Sequence, residues 1–305
     1  MKKFIVITTV YQPTEAIKLF MSMPDWELII VGDLKTPHNS YKELEKQGKL
    51  IYLDPQYQEK RYHALSEAIG WNTSPRRNIG FIEAFKRGAD ILALTDDDNI
   101  PYEEWGKNLL INKKIICDQF TPCQNTVFDP LSVTNHPELW HRGFPLQQVS
   151  TRYNTKSSTT IVPKIQVDLW NGAPDVDATC RMIYKPDVTL EISSPYCSPS
   201  ISPFDSQNTF LAREMISEYM LIPHIGRVDD IWGSYLLQMN STFEHEYIVY
   251  NKPTVYQNRN EHDLMKDFEA EVFGTIHVEA FLAGKDVLSD ASKRAIDIYK
   301  AEFVR

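Results

Sequence analysis

Three successive carboxylates, Asp96, Asp97 and Asp98, follow the apolar run Ala89–Thr95. Adjacent carboxylates repel one another and add nothing to folding alone, whereas a divalent cation takes carboxylate oxygens and neutralises such a cluster. A solvated acidic turn or helix start is the plainer use of the triplet, since Asp caps helices and suits the positive end of their dipole. Its place at the end of an internal strand favours the metal, because open α/β sheets bind ligands beyond the carboxyl ends of their strands. Upstream, Pro75-Arg76-Arg77-Asn78-Ile79-Gly80 opens a helix. Two arginines there oppose the macrodipole. A bound diphosphate would explain them, because helix N–H groups and arginine forks both favour phosphate oxygens; pairing with surface carboxylates is the alternative. Asp33, directly after another strand, is placed to accept hydrogen bonds from a base or ribose, although an ordinary turn Asp looks the same.

The remaining composition limits what such a site can serve. With 42% hydrophobic and 24% charged residues in 305, the chain has the make-up of a soluble globular protein, not of a disordered or fibrous one. Lys and Arg number 32 against 41 Asp and Glu, a net charge of −9, which argues against a nucleic-acid-coating surface. A phosphorylated small molecule is not excluded, since it needs only a few local cations or a metal. Cys117, Cys123, Cys180 and Cys197 are too few and scattered for a disulfide scaffold or a CxxC zinc site, and read as packing residues in a reducing compartment. The apolar stretch after Lys3 is too short for a signal peptide and is broken by Gln12-Pro13. No stretch approaches the roughly eighteen apolar residues of a membrane span. A cytoplasmic location is expected.

The elements that must position these residues follow from periodicity. Phe4–Val10, Trp26–Val31, Leu50–Leu53 and Ala89–Thr95 read as buried strands. Thr14–Met23 reads as a helix capped by Thr14, with Ile17, Leu19 and Phe20 inward, and Ser74-Pro75 caps another over about Arg76 to Arg87. Alternating strands and helices predict a parallel sheet wrapped by helices. Beyond Asn99 helical periodicity fades until Ala212–Tyr219, and Ser150–Ser206 reads as long loops or an irregular β layer. Asp230–Met239 is expected to be a helix, Tyr247–Tyr256 a strand, and Glu261–Arg305 two helices packed on the core or used for self-association.

The ordered set of segments resembles the GT-A glycosyltransferases, specifically the plant reversibly glycosylated polypeptides (UDP-arabinopyranose mutases) and the STELLO-type proteins. The matching stretches are Phe4–Thr9, Leu28–Asp33, Arg77–Gly80, Thr95–Asn99, Arg142-Gly143-Phe144-Pro145, Leu169-Trp170-Asn171, Pro174–Ala178, Asn208–Glu214, Ile225–Gly233 and Val255–His262. The resemblance implies a GT-A-like, Rossmann-type sheet flanked by helices. It assigns residues 1–125 to the nucleotide-sugar half, 126–260 to the acceptor side and 261–305 to a helical extension. It implies donor contacts at Thr8, Thr9, Asp33, Arg76, Arg77, Asn78, Asp96 and Asp97, and Mn²⁺ or Mg²⁺ on Asp96 and Asp98. It also implies an acceptor side with Trp170, Asp175, Asp177 and Asn208, and a catalytic acidic pair, Asp229 and Asp230. As the start of a helix, that pair has a capping alternative.

Two departures matter. No arginine occupies the place of the mutases' glycosylated arginine after Arg142-Gly143-Phe144-Pro145, although Arg152 lies close by. The family's late histidine is replaced by Gln257, which leaves His262 or Asn258 to complete the metal shell. His136, His141, His224 and His245 share no spacing and read as surface or capping residues. The expectation is a metal-dependent transferase moving a sugar from a UDP-sugar to a glycan-type acceptor. A sugar-nucleotide mutase and a non-catalytic sugar-nucleotide-binding subunit are the alternatives.

Overall fold

Apolar runs buried on both faces become one half of a large sheet. The computed structural model describes residues 1–240, 248–259 and 263–304. Strands β1 (Lys3–Thr9), β2 (Glu27–Gly32), β3 (Ile51–Leu53) and β4 (Ile91–Thr95) pair in parallel in the order β3-β2-β1-β4. Ile5, Val6, Ile7, Ile29, Ile30 and Leu92–Leu94 lie at the centre of the core. Burial of β-branched side chains on both faces is what such continuous runs require.

The same sheet continues through β5 (Asn99–Pro101), β6 (Ile115–Pro122), β7 (Asn154–Ile161), β8 (Ile165–Gly172), β9 (Tyr196–Cys197), β10 (Asn208–Ala212) and β11 (Ile248–Gln257). Its order is β3-β2-β1-β4-β10-β8-β11-β9-β6-β7, with β5 against β11. Strand β10 runs antiparallel to both β4 and β8, so β4 and β8 point the same way, and β11 is parallel to β8. The carboxyl ends of β1, β2, β4, β8 and β11 therefore open on one rim.

Helices α1 (Glu15–Met21), α2 (His38–Lys46), α3 (Pro55–Arg61), α4 (His63–Ile69) and α5 (Arg77–Lys86) flank the first half. Later come α6 (Ala178–Tyr184), α7 (Arg213–Ile216), α8 (Asp229–Asn240), α9 (Leu264–Leu282) and α10 (Asp290–Ala301). The chain is a mixed α/β fold with a large central sheet flanked by helices. Helix α5 lies directly on β1 and β2: a Cβ added at Gly80 would come within 2.4 Å of Val6 Cγ1. That close approach holds the first turn of α5 against the sheet rim.

Several expected elements differ. Thr14 does cap α1, accepting from the Ile17 amide at 3.2 Å, but Leu19 faces outward and Ala16 joins Ile17 and Phe20 inside. Residues 74–76 form a 3₁₀ turn, so α5 begins at Arg77. The span read as irregular, Ser150–Ser206, holds the two eight-residue strands β7 and β8 as well as α6. Strand β7 carries the polar sequence Asn154-Thr-Lys-Ser-Ser-Thr-Thr-Ile161 at the sheet edge and is exposed on both faces over most of its length, so no buried face imposes hydrophobic alternation. Helices α2–α4 are absent from the sequence expectation; each is short, and α2 is a polar helix that buries only Tyr41, with Leu44 packed partly against the core.

Candidate active site

The strand ends converge on a cleft of about 360 Å³. Thr8 and Thr9 come from β1, Asp33 from the end of β2, Asp96–Asp98 from the end of β4, and Asp175 from the turn after β8. Gln257 and Arg259 come from the end of β11, Arg77 from the first turn of α5, and Asp230 from the first turn of α8. Arg142 and Ser74 complete the wall. Residues far apart in sequence meet here because parallel strands place their carboxyl ends together.

On one side, Asp33 accepts the amides of Leu34 (2.6 Å), Asn72 (2.9 Å) and Thr73 (3.2 Å). It thereby ties the end of β2 to the loop before α5. Arg77 donates to the carbonyl and hydroxyl of Ser206, both at 2.8 Å, to Thr8 Oγ1 at 3.3 Å, and to Asp96. The Thr9 hydroxyl donates to Asp97. Burial, opposed by that hydrogen bond and aided by the charge of Asp96, pushes the Asp97 carboxyl up to about 6.

On the other side Arg142 is a bidentate partner twice over. Its guanidinium donates to Asp175 through Nε and Nη2, both at 2.8 Å, and to Asp230 through Nη1 (2.9 Å) and Nη2 (3.1 Å). Burial opposes ionisation of both carboxyls, but the guanidinium outweighs it and holds both below the usual range. Asp230 also accepts the amide of Ser206 at 3.1 Å. Its neighbour Asp229 is different: burial first, then the adjacent Asp230 charge, pushes it up to about 7. Asp229 accepts a hydrogen bond from the Ser74 hydroxyl. Two adjacent buried carboxyls thus carry opposite shifts, the expected outcome when a single cation is shared unequally.

Behind Arg142, His141 Nε2 lies 3.6 Å from Asp205 Oδ2. Burial works against the imidazolium, but Asp205 and Asp175 raise the His141 pKa. Among the described residues, His141, Asp175 and Asp205 form a His/carboxylate group compact enough to hold a metal. The Arg142 guanidinium already grips Asp175, so the group is part of the buried polar network behind the cleft wall. This corrects the reading of His141 as a surface or capping residue.

Several expected ligand contacts are not at the cleft. Arg76 is 0% exposed, stacked on Trp71 and bonded to Gln58 and to the carbonyl and hydroxyl of Ser66. It ties helices together and is not part of the cleft wall. Asn78 closes a pair of hydrogen bonds with the Leu221 backbone, at 2.7 and 2.9 Å. Trp170 is 1% exposed and belongs to the core. Asp177 caps α6, accepting from the Cys180 amide and from Trp140 Nε1. Asn208 accepts from Trp105 Nε1 and donates to the Leu169 carbonyl and Thr254 Oγ1 inside the sheet. His245 and His262 lie outside the described residues. Arg152 is held by Asp129 and by backbone carbonyls, away from the cleft. Sequence reasoning does not single out Ser74, Arg227 or Arg259 as site residues. Arg142 is visible in the sequence only as part of a matching segment.

No family model matches the chain. Over 211 residues, 64% of its length, it is 23% identical to "Probable glycosyltransferase STELLO2" of Arabidopsis thaliana. It is 24% identical to "Probable glycosyltransferase STELLO1" of the same plant over 202 residues, 62% of its length. The alignments span 27% and 25% of those relatives. Among solved structures, S. aureus TarS 1-349 in complex with UDP-GlcNAc superposes with a TM-score of 0.44 at 14% identity, covering 100% of this chain and 72% of that one. The UDP complex of the same fragment gives 0.40 at 14%, covering 93% and 70%. By sequence, the chain is similar to a part of the STELLO glycosyltransferases.

Proposed function

We propose that the chain is a glycosyltransferase that takes a UDP-sugar as donor and a glycan-type hydroxyl as acceptor, with a divalent cation, Mn²⁺ or Mg²⁺. The observation that carries this reading is one cleft joining the Asp96–Asp98 strand end and Arg77 to Asp230 in the first turn of α8, with Asp229 reached through Ser74 on the wall. The likeness to STELLO proteins supports it. In this reading the Thr8–Thr9 and Asp33 end of the cleft faces the nucleoside, Arg77 faces the diphosphate, and Asp175 and Asp230 stand on the acceptor side.

The donor set suits a hard cation. Six carboxylates (Asp33, Asp96, Asp97, Asp98, Asp175, Asp230) share the cleft with four guanidiniums (Arg77, Arg142, Arg227, Arg259) among the described residues, an excess of negative charge with oxygen ligands. Asp96 and Asp98 are the proposed ligands. When bound, the cation supplies charge neutralisation for the departing nucleoside diphosphate. Arg77 adds a fixed positive charge beside that leaving group, and the Arg142 clamp keeps Asp230 ionised and stationary. Asp229, with its raised pKa, is the member of the pair able to accept a proton near neutral pH. A mass-spectrometric and calorimetric screen of nucleotide sugars with Mn²⁺ tests the reading. UDP-sugar binding and metal-dependent UDP release are expected; absence of both refutes it.

A further inference from the structure

Asp229 lies beside the cleft and outside its lining. Both members of the pair are buried, but only Asp230 is part of the cleft wall. The exposed residue that bridges the gap is Ser74: it lies on the cleft wall and its hydroxyl donates to Asp229 Oδ2. Asp230 is itself a poor proton acceptor, because the Arg142 guanidinium and the Ser206 amide and hydroxyl already occupy its oxygens. Ser74 Oγ thus connects the cleft wall to Asp229 through one hydrogen bond.

We propose that Ser74 is a catalytic residue, the relay through which Asp229 deprotonates the attacking hydroxyl. The inference rests on the transferase reading and names the path of the proton within it. The acceptor O–H bond breaks and its proton passes to Ser74 Oγ, while the Ser74 hydroxyl proton passes to Asp229 Oδ2. The acceptor oxygen forms the new bond to the anomeric carbon. The bond from that carbon to the diphosphate oxygen breaks, and its electron pair leaves on the nucleoside diphosphate. Ser74 ends as it began, and Asp229 holds the proton.

Position supports the relay. Ser74 opens the 3₁₀ turn leading into α5, and its hydroxyl is directed across to the first residue of α8. The groups facing Asp229 also suit it. Asp230 stays ionised beside it, Arg142 stays cationic, Arg77 stays cationic on the Asp230 side, and Tyr219 keeps its proton because burial raises it well above its ordinary range. Asp229 is thus the group of this set that changes charge near neutrality.

The test uses the whole chain with Mn²⁺ and measures UDP release from UDP-glucose, UDP-galactose, UDP-GlcNAc and UDP-arabinopyranose, water serving as acceptor. Affinity for UDP is measured by calorimetry in parallel. Ser74→Ala is expected to keep the melting temperature and UDP affinity and to lose ~100-fold in turnover, as removal of a general-base path does. Ser74→Thr, which retains the hydroxyl, is expected to recover turnover to within about tenfold of wild type. In wild type, turnover should rise with pH through about 7, and this limb should vanish in Asp229→Asn. Unchanged turnover in Ser74→Ala, a wild-type limb that survives in Asp229→Asn, or a sugar adduct on Ser74 overturns the relay alone. A wild type that neither binds UDP nor releases it from any of these sugars overturns the transferase reading, and the relay with it.

Discussion

Arg142 holds Asp230 through two guanidinium nitrogens, Nη1 to Oδ1 at 2.9 Å and Nη2 to Oδ2 at 3.1 Å, while gripping Asp175 on its other edge. All three are nearly buried. Removing the arginine strands two carboxylates in a poorly hydrated wall. Arg142→Met is expected to destabilise the chain by about 3–5 kcal/mol at pH 7, the usual cost of breaking a buried pair. Asp175 and Asp230 have depressed pKa values, so the clamp's contribution is present above the ordinary carboxylate pKa of about 4 and fades as pH falls below it. Thermal melts at pH 7 and at low pH should show the gap between wild type and variant narrowing in acid; equal melting temperatures at pH 7 would rule the clamp out.

Arg76 and Arg77 are neighbours with different surroundings, and they should separate in experiment. Arg77→Met removes the cation beside Asp96 and is expected to weaken UDP binding by about tenfold, on the order of 1.4 kcal/mol. Arg76→Met should leave UDP affinity unchanged and lower the melting temperature, since it strands the buried Gln58 and Ser66 groups. Calorimetry with UDP plus a melt on each variant checks both. A binding defect confined to Arg76→Met would reverse the assignment.

Asp98→Ala is expected to reduce turnover of a UDP-sugar by at least ~100-fold, on the order of 3 kcal/mol of barrier. EDTA should have a comparable effect on wild type, and Mn²⁺ should raise the melting temperature more in the presence of UDP than alone. Full activity in EDTA would leave the acidic strand end without its proposed cation.

The raised pKa of Asp229 also bears on stability. A carboxyl whose folded pKa lies above its unfolded value is penalised when it must ionise, so the penalty is absent below about 4 and grows as pH rises through about 7. Asp229→Asn removes that cost while keeping an acceptor for Ser74. The variant should therefore melt higher than wild type at pH 8, by on the order of 1 kcal/mol, and about equally at pH 4. A variant less stable than wild type at pH 8 would show that the carboxylate is instead a net stabiliser.

The Gly226–Gly233 block shows how sequence and tertiary structure divide the explanation. In sequence it is a run with two glycines and two carboxylates, recognisable by resemblance but without a stated cause. In the fold, Gly226 has φ +73°, and a Cβ there would come within 2.0 Å of the Ala270 carbonyl oxygen in α9. The glycine is needed because a helix from much later in the chain passes against it. No local pattern contains that neighbour.

Apolar runs place β1, β2 and β4, and helix-start residues followed by helix-forming sequence place α5, α8 and the two tail helices, because these are local properties of the chain. They also mark Asp33, Asp96 and the two carboxylates after Asp96 as strand-end residues, since the end of an apolar run is a local property. They cannot find β7, which buries neither face over most of its length and so has no alternation, nor tell Arg76 from Arg77, which adjoin in sequence and differ only in what surrounds them. The pairing of Ser74 with Asp229 spans 155 residues, and that of Arg142 with Asp230 spans 88. Such contacts arise when strands from both halves of the chain open on the same rim. Local sequence determined which segments could be buried; which polar groups met at their ends was decided by the order and direction of strands in the folded sheet.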